Sequence, residues 1–351
     1  EPAVGPWRDL AEYPIRIMSN AVGEIDGRIY SAGGIDGLDT VAAAYVYDPV
    51  AGAWSPIAPL PEPREDPAGV AIDGTFYVAG GWGSNGRETK TLYAYDPATD
   101  TWRSLAPMPY GLAAPGRAVL DGKLYLVGGC TNVCSRKYVQ RYDPATDQWE
   151  RLADYPRTIS HVACAGIGGK LYCAGGTSQV GATNLAYVYD PATDTWSPRA
   201  SLPIDLWGAA YTAAYGQLVV AGGVTSGELT NQAFAYDPGT DSWLTLPASN
   251  GVTYRGGSAC GLYRVGGSTM IGFIPTNRVE MLPTYGACQP TDLPWLALDT
   301  GTITLAPGKR ITVPVRLTAD AAATGTLRGG IWIKEETPYL VEPIAVTLRV
   351  R

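Results

Sequence analysis

The chain holds one histidine, His161, in 351 residues. Any serine–histidine–aspartate arrangement would have to pass through that imidazole, and a multi-histidine metal site cannot be assembled from it. The other reactive set is the cysteines. Cys130 and Cys134 sit four apart, Cys164 and Cys173 flank a Gly168-Gly169 pair, and Cys260 and Cys288 remain. These spacings offer no further ligand for zinc, so three local disulfides are expected, with other pairings open. Disulfides imply an oxidising compartment and a secreted, extracellular protein. No metal and no cofactor are expected. The remaining chemistry belongs to Arg, Asp, Glu, Tyr and Trp side chains, which suit recognition through ion pairs and stacking.

The charge balance narrows the partners. With 33 acidic against 26 basic residues the net charge is −7, which argues against nucleic acid. An apolar fraction of 46% with 17% charged residues describes a globular chain. Residues 206–227 carry no charge over 22 positions, nominally a membrane-spanning length. Gly208, Gly216, Gln217, Gly222 and Gly223 interrupt that stretch, so no membrane span is expected. The chain starts at Glu1 without Met or a leader segment, which reads as a processed or excised piece.

The elements that must position these side chains come from a repeat. Gly-Gly pairs begin at Gly33, Gly80, Gly128, Gly175, Gly222 and Gly266, a period near 47. After the first five comes Tyr-Asp-Pro, at Tyr47, Tyr95, Tyr142, Tyr189 and Tyr236. Six residues after each Asp stands a tryptophan: Trp54, Trp102, Trp149, Trp196 and Trp243. Each period reads as four short strands, a to d. In the third copy, 117–120 is strand a, Asp121-Gly122 a primed two-residue turn, 123–127 strand b, 138–142 strand c and 149–152 strand d. A period of this length with these elements means a propeller or a similar array.

Strand-Gly-Gly, Tyr-Asp and Trp in register resemble the kelch repeat over roughly residues 5–283, and in that family each repeat is one propeller blade. The sixth copy lacks Tyr-Asp-Pro and its tryptophan. The missing strand stands at the other end of the chain, where residues 6–13, with Trp7 and Tyr13, read like 148–155. The expected fold is therefore all-β: a six-bladed propeller over residues 1–287, blade six completed by residues 6–13. Residues 288–351 change character. Alternating Ile311, Val313, Val315 and Leu317, then Ile344, Val346, Leu348 and Val350, resemble a small bacterial Ig-like sandwich after a linker.

An antiparallel a-b-c-d meander puts a–b and c–d turns on one face of the disc and b–c and d–a loops on the other. The first class is nearly uniform among the copies, and the second varies in every one. Recognition is therefore expected on the b–c/d–a face. Its d–a loops carry Arg16, Arg64, Glu65, Asp66, Tyr110, Arg157, Asp205, Trp207, Tyr254 and Arg255, and its b–c loops Trp82, Arg87, Arg136 and Glu228. Mixed charges and aromatics suit a protein or glycan ligand. Solvated loops that merely keep the chain soluble are the plainer alternative. The recurring Trp and Tyr read as packing between blades, and His161 as a hydrogen-bonded interior residue early in strand a of blade four.

These features favour a monomeric, non-catalytic binding module. Copper oxidases resembling galactose oxidase need two histidines, which this chain lacks. The kelch-type sialic-acid epimerases use charged channel residues, and Arg16, Arg64, Glu65, Asp66 and Arg157 could mimic that arrangement. Segments 130–134, 205–208, 254–261 and 292–296 look like actinobacterial secreted proteins in which a subtilisin-like serine peptidase precedes a kelch propeller and an Ig-like domain. That resemblance implies the accessory part of a secreted peptidase, without the peptidase machinery.

Overall fold

Short strands and tight turns dictate the architecture. At the a–b junctions Asp26-Gly27, Asp73-Gly74 and Asp121-Gly122 hold positive φ at both positions. That backbone suits the right-handed twist of the flanking strands, and Asp and Gly adopt it at low cost. The computed structural model describes residues 7–285 and, beyond them, 296–298, 310–318, 325–331 and 344–350.

Six four-stranded antiparallel sheets are formed. Blade three is representative: Gly116–Leu120, Lys123–Val127, Val139–Asp143 and Gln148–Leu152 pair in sequence order. Blade six consists of Gly257–Ala259, Tyr263–Val265 and Val279–Met281, and its fourth strand is Arg8–Asp9. The closure is therefore as expected, with Arg8 opposite Met281 and Asp9 opposite Glu280. Asn250 adds side-chain bonds to the Trp7 carbonyl and to Asp9, and Arg278 pairs with Asp9 at 2.8 Å. Strands a of successive blades touch around a full circle, from Ala21–Ile25 through the others to Gly257–Ala259 and back. They line a central channel.

The core lies between blades. Tyr125 and Val139 of blade three pack with Cys164, Leu171 and Tyr189 of blade four. Across the closure, Ile29 and Tyr47 pack with Tyr263, Val265 and Val279. A repeated Tyr, Asp and Trp form a clamp at four of these seams. Asp194, with positive φ, accepts from Tyr189 Oη at 2.6 Å and from the Ala153 N–H at 2.9 Å, and Trp196 Nε1 donates to the Ala153 carbonyl. Asp147 with Trp149 and Asp241 with Trp243 repeat the arrangement on Ala106 and Ala200. In blade one Gly52 takes the carboxylate's place, and only the Trp54 bond remains.

Residues 206–227 contain the first two strands of blade five, Ala210–Ala214 and Gln217–Ala221. Among the described residues no helix is long and apolar enough to cross a membrane. The chain divides into two compact units at Cys288. In the second, Leu296–Leu298 pairs with Val315–Leu317 and Gly325–Ile331 with Ile344–Val350. Most of the expected Ig-like sandwich lies outside the described residues. Disulfides join Cys130 to Cys134 and Cys164 to Cys173, the latter two directly opposite across strands a and b of blade four. Cys260 is disulfide-bonded, and Cys288 lies outside the described residues.

Candidate functional site

The Gly-Gly pairs deliver the site. A Cβ on the first glycine would meet a backbone carbonyl of the next blade's incoming d–a loop: Leu112 O at 2.2 Å from Gly80, Ile159 O at 2.4 Å from Gly128. The N–H of the second glycine donates to that same carbonyl, at 2.8 Å from Gly81 and from Gly129. The loop is thus held by backbone alone, at a distance only glycine allows. Two residues further on, each loop has one residue of positive φ: Ser19, Asp66, Ala114, His161, Gly208 and Arg255. Their N–H groups and carbonyls bond from blade to blade, Asp66 to Ser19, Ala114 to Asp66, His161 to Ala114, Arg255 to Gly208 and Ser19 to Arg255. These five bonds form a backbone ring around the mouth of the channel, open between His161 and Gly208. Five of its six members adopt a conformation that non-glycine residues disfavour, the kind of strain found at functional sites.

Around this ring large polar side chains alternate with small ones: Asp66, His161 and Arg255 against Ser19, Ala114 and Gly208. They line a cleft of about 60 Å³ together with Asn20, Arg117 and Tyr211. Arg255 pairs with Asp66 and, at 2.7 Å, with Glu65. Burial pushes Asp66 upward, but Arg255 and nearby His161 outweigh it and hold its carboxyl well below the usual range. Glu65 goes the other way, raised by burial and by the charge of Asp66. His161 Nε2 stands 3.8 Å from Asp66, beyond hydrogen-bond reach. Its ring lies edge-on to Trp207 at 5.5 Å. The Arg117 side chain crosses the channel below, donating to the carbonyls of Gly69 and Ser258 at 2.8 and 2.7 Å, with its guanidinium over the Tyr211 ring.

Ser19, Asp66 and His161 do not form a nucleophilic triad. The imidazole must sit between hydroxyl and carboxylate, whereas here blade two carries the carboxylate and blades one and four carry the other two on opposite sides of the ring. The arrangement presents donors to a small polar group.

The structure brings together Asp66, Glu65 and Arg255, and adds Trp207 and Tyr254 as an edge-to-face flank behind His161, their rings 5.4 Å apart. The other expected residues are placed elsewhere. Arg64 does not reach the channel: it is buried, donates to Pro63 O and Thr91 Oγ1 and pairs with Glu62. Asp205 accepts from Thr225 Oγ1 and the Ser226 N–H and so organises a loop ribbon. Tyr254 Oη fixes the 268–275 loop through Gly272. Tyr110 stacks on Tyr138 at 4.4 Å beneath Arg151, and Arg136 donates to Thr131 within the Cys130–Cys134 loop. Trp82 is half-buried against Ala113, Ala114 and Cys130. Arg16, Arg87, Arg157 and Glu228 are exposed. Of the five residues in the epimerase comparison, only Asp66 lines the cleft.

His161 requires a correction. It precedes strand a of blade four (Ala163–Ile167) and has no hydrogen bond on either ring nitrogen. The left-handed backbone turns it into the cleft instead of the core. Sequence reasoning also missed Ser19, Asn20, Arg117 and Tyr211. A signal existed: the ring residue lies 14 positions before the Gly-Gly pair in five copies, and 11 in the sixth, whose a–b hairpin is shorter.

Comparison with known proteins agrees with this geometry. The Kelch motif matches residues 19–61, 63–109, 116–154, 159–203 and 208–250. Among curated proteins, Kelch-like protein terF of Aspergillus terreus is 33% identical over 84 residues, 22% of this chain and 18% of its own length. Kelch-like protein 35 of Mus musculus is 38% identical over 65 residues, 18% of this chain and 11% of its own. The matched stretches thus span less than a fifth of these relatives. Among solved structures, that of YjhT superposes with a TM-score of 0.66 at 21% identity, covering 77% of this chain and 96% of YjhT.

Proposed function

This chain belongs to the kelch-repeat family, and on that footing we propose that it is a non-catalytic binding module that docks a protein partner on its b–c/d–a face. One observation carries the reading. The b–c loop tips expose large apolar side chains, and the c–d turns of the opposite face expose only Val50 among the described residues. Met270, Ile271, Phe273 and Ile274 project from the blade-six loop, and Phe273 and Pro275 lie beside Gly37 of the blade-one loop, whose Leu38 is 89% exposed. Val133 and Val180 are likewise exposed on the loops of blades three and four. Exposed apolar side chains gathered on one face, most densely on the blade-six loop beside blade one, mark a protein contact surface.

The disulfides support an oxidising, extracellular setting. Within it, the resemblance of the Cys130–Cys134 loop and neighbouring segments supports an accessory role in a secreted multidomain bacterial protein with a subtilisin-like peptidase. Sequencing the gene upstream of Glu1 tests that setting, and a gene without a peptidase region there would remove it. The docking face is tested by selecting peptides from a random displayed library on the immobilised protein. Selected peptides should lose binding to an Ile271→Ser/Phe273→Ser variant and keep it to a Val50→Ser variant. The opposite pattern, or selection of no peptide, would overturn the reading.

A further inference from the structure

The mouth of the channel contains more donors than the protein uses. Arg117 is partly buried, yet among the described residues no carboxylate lies within ion-pair distance of it, and its Nη1 makes no hydrogen bond there. Its Nε and Nη2 are spent on backbone carbonyls and on Ser258 Oγ. Both nitrogens of His161 and the hydroxyl of Ser19 are buried without a partner. The Tyr211 hydroxyl accepts from the Arg117 N–H, which leaves its own proton to donate. Asp66, the one carboxylate lining the cleft, is paired with Arg255 and stands 3.8 Å from His161 Nε2, too far to hydrogen-bond to it. A partly buried cation without a counter-ion, beside unused donors, suits an anion that completes it.

From this we propose that the cleft is a carboxylate-binding site. Arg117 supplies the charge from the floor, and His161, Ser19 and Tyr211 supply hydrogen bonds from the wall. The cleft is small, about 60 Å³, and opens to solvent, so a carboxylate with one or two carbons fits inside it. Guanidinium suits this chemistry, because its planar donors match a planar anion. The inference is independent of what the apolar loop tips bind. It concerns a polar cavity below them, and a carboxylate could reach it on a free small acid or on an acidic side chain.

The single histidine makes the test direct, since the whole protein gives one imidazole signal by NMR. Sodium acetate at millimolar concentration should shift that signal saturably, while acetamide and matched sodium chloride should not. Arg117→Met should weaken acetate binding about tenfold or more, the value of one charge-assisted hydrogen bond. Because Arg117 also ties two carbonyls together, Ser19→Asp is the second variant. Aspartate tolerates the backbone of that position, as Asp66 does, and its carboxylate should occupy the cleft, abolish acetate binding and move the His161 signal toward its acetate-bound position. N-acetylglutamate methylamide separates the sources: binding tighter than acetate assigns the site to acidic side chains, and acetate binding alone assigns it to free small acids. An imidazole signal unmoved by acetate, or moved equally by acetamide, would overturn the proposal. So would acetate binding that survives Ser19→Asp.

Discussion

Blade six buries an ion pair where its siblings bury mostly apolar side chains. Arg264 and Glu280 stand opposite each other in strands b and c, 2.7 Å apart, each side chain 3% exposed. The same register holds Val220 and Phe234 in blade five and Leu126 and Gln140 in blade three. Burial dominates both charges, pushing Glu280 up and Arg264 down in spite of their mutual attraction. The pair should therefore add little net stability, but breaking it should be expensive. Glu280→Leu leaves a guanidinium in the core that cannot give up its proton, and the cost should be about 3–5 kcal/mol. At an m-value of about 2–3 kcal/mol/M, the urea midpoint would fall by about 1–2.5 M. Arg264→Leu should cost less, because the remaining carboxyl can take up a proton. A carboxyl whose folded pKa is raised stabilises below its ordinary pKa and loses that contribution as pH rises, so the Arg264→Leu deficit should shrink on acidification. The double variant Arg264→Val/Glu280→Phe, which installs blade five's pair, should return to within about 1–2 kcal/mol of the natural protein. If Glu280→Leu costs less than about 1 kcal/mol, or if the double variant costs the sum of the single ones, the reasoning is wrong.

Three further outcomes are expected. Asp194→Ala removes two hydrogen bonds from an inter-blade clamp and should cost about 1–3 kcal/mol by urea unfolding, while Asp194→Asn, which keeps an acceptor, should cost less. Gly128→Ala, at φ +66 and with Ile159 O at 2.4 Å from the new Cβ, should destabilise by more than about 1–2 kcal/mol, and Gly122→Asn in an open turn by less, both read as shifts in thermal midpoint. Asp66 has a depressed folded pKa, so its contribution is present above the ordinary carboxylate pKa of about 3.9 and is lost as pH falls below it. Asp66→Asn should accordingly be less stable than the natural protein at neutral pH, and the two unfolding curves should converge below about pH 4.

Much of the fold was legible because a blade is local. Its turns, its Gly-Gly close approach and its Tyr-Asp-Trp clamp all lie within one period, and even the closure by residues 6–13 was written in a recognisable copy of strand d. The site was less legible because its members share a backbone conformation and not a residue type. Ser19, Ala114 and Gly208 carry no chemical signal, so the ring they belong to did not stand out. Asp66 and Arg255 were named from their loops, but their pairing across 189 positions exists only because the ring closes. Arg64 belongs to the same loop as Asp66 and points elsewhere, since its carbonyl is the one held by the Gly34 N–H. Loop membership gives the face, and backbone conformation decides which side chain reaches the centre.

The backbone ring at the channel mouth separates scaffold from message. Its links are main-chain bonds, so apart from the Arg255–Asp66 pair the residues standing at those six positions do not hold the assembly together through their side chains. Any residue that tolerates a left-handed backbone, asparagine and glycine most readily, can be written into a slot without redrawing the blades. Six such slots face one small cavity, each addressable on its own. The propeller is in that sense a reprogrammable aperture: its specificity can be exchanged one blade at a time while the disc that carries it stays the same.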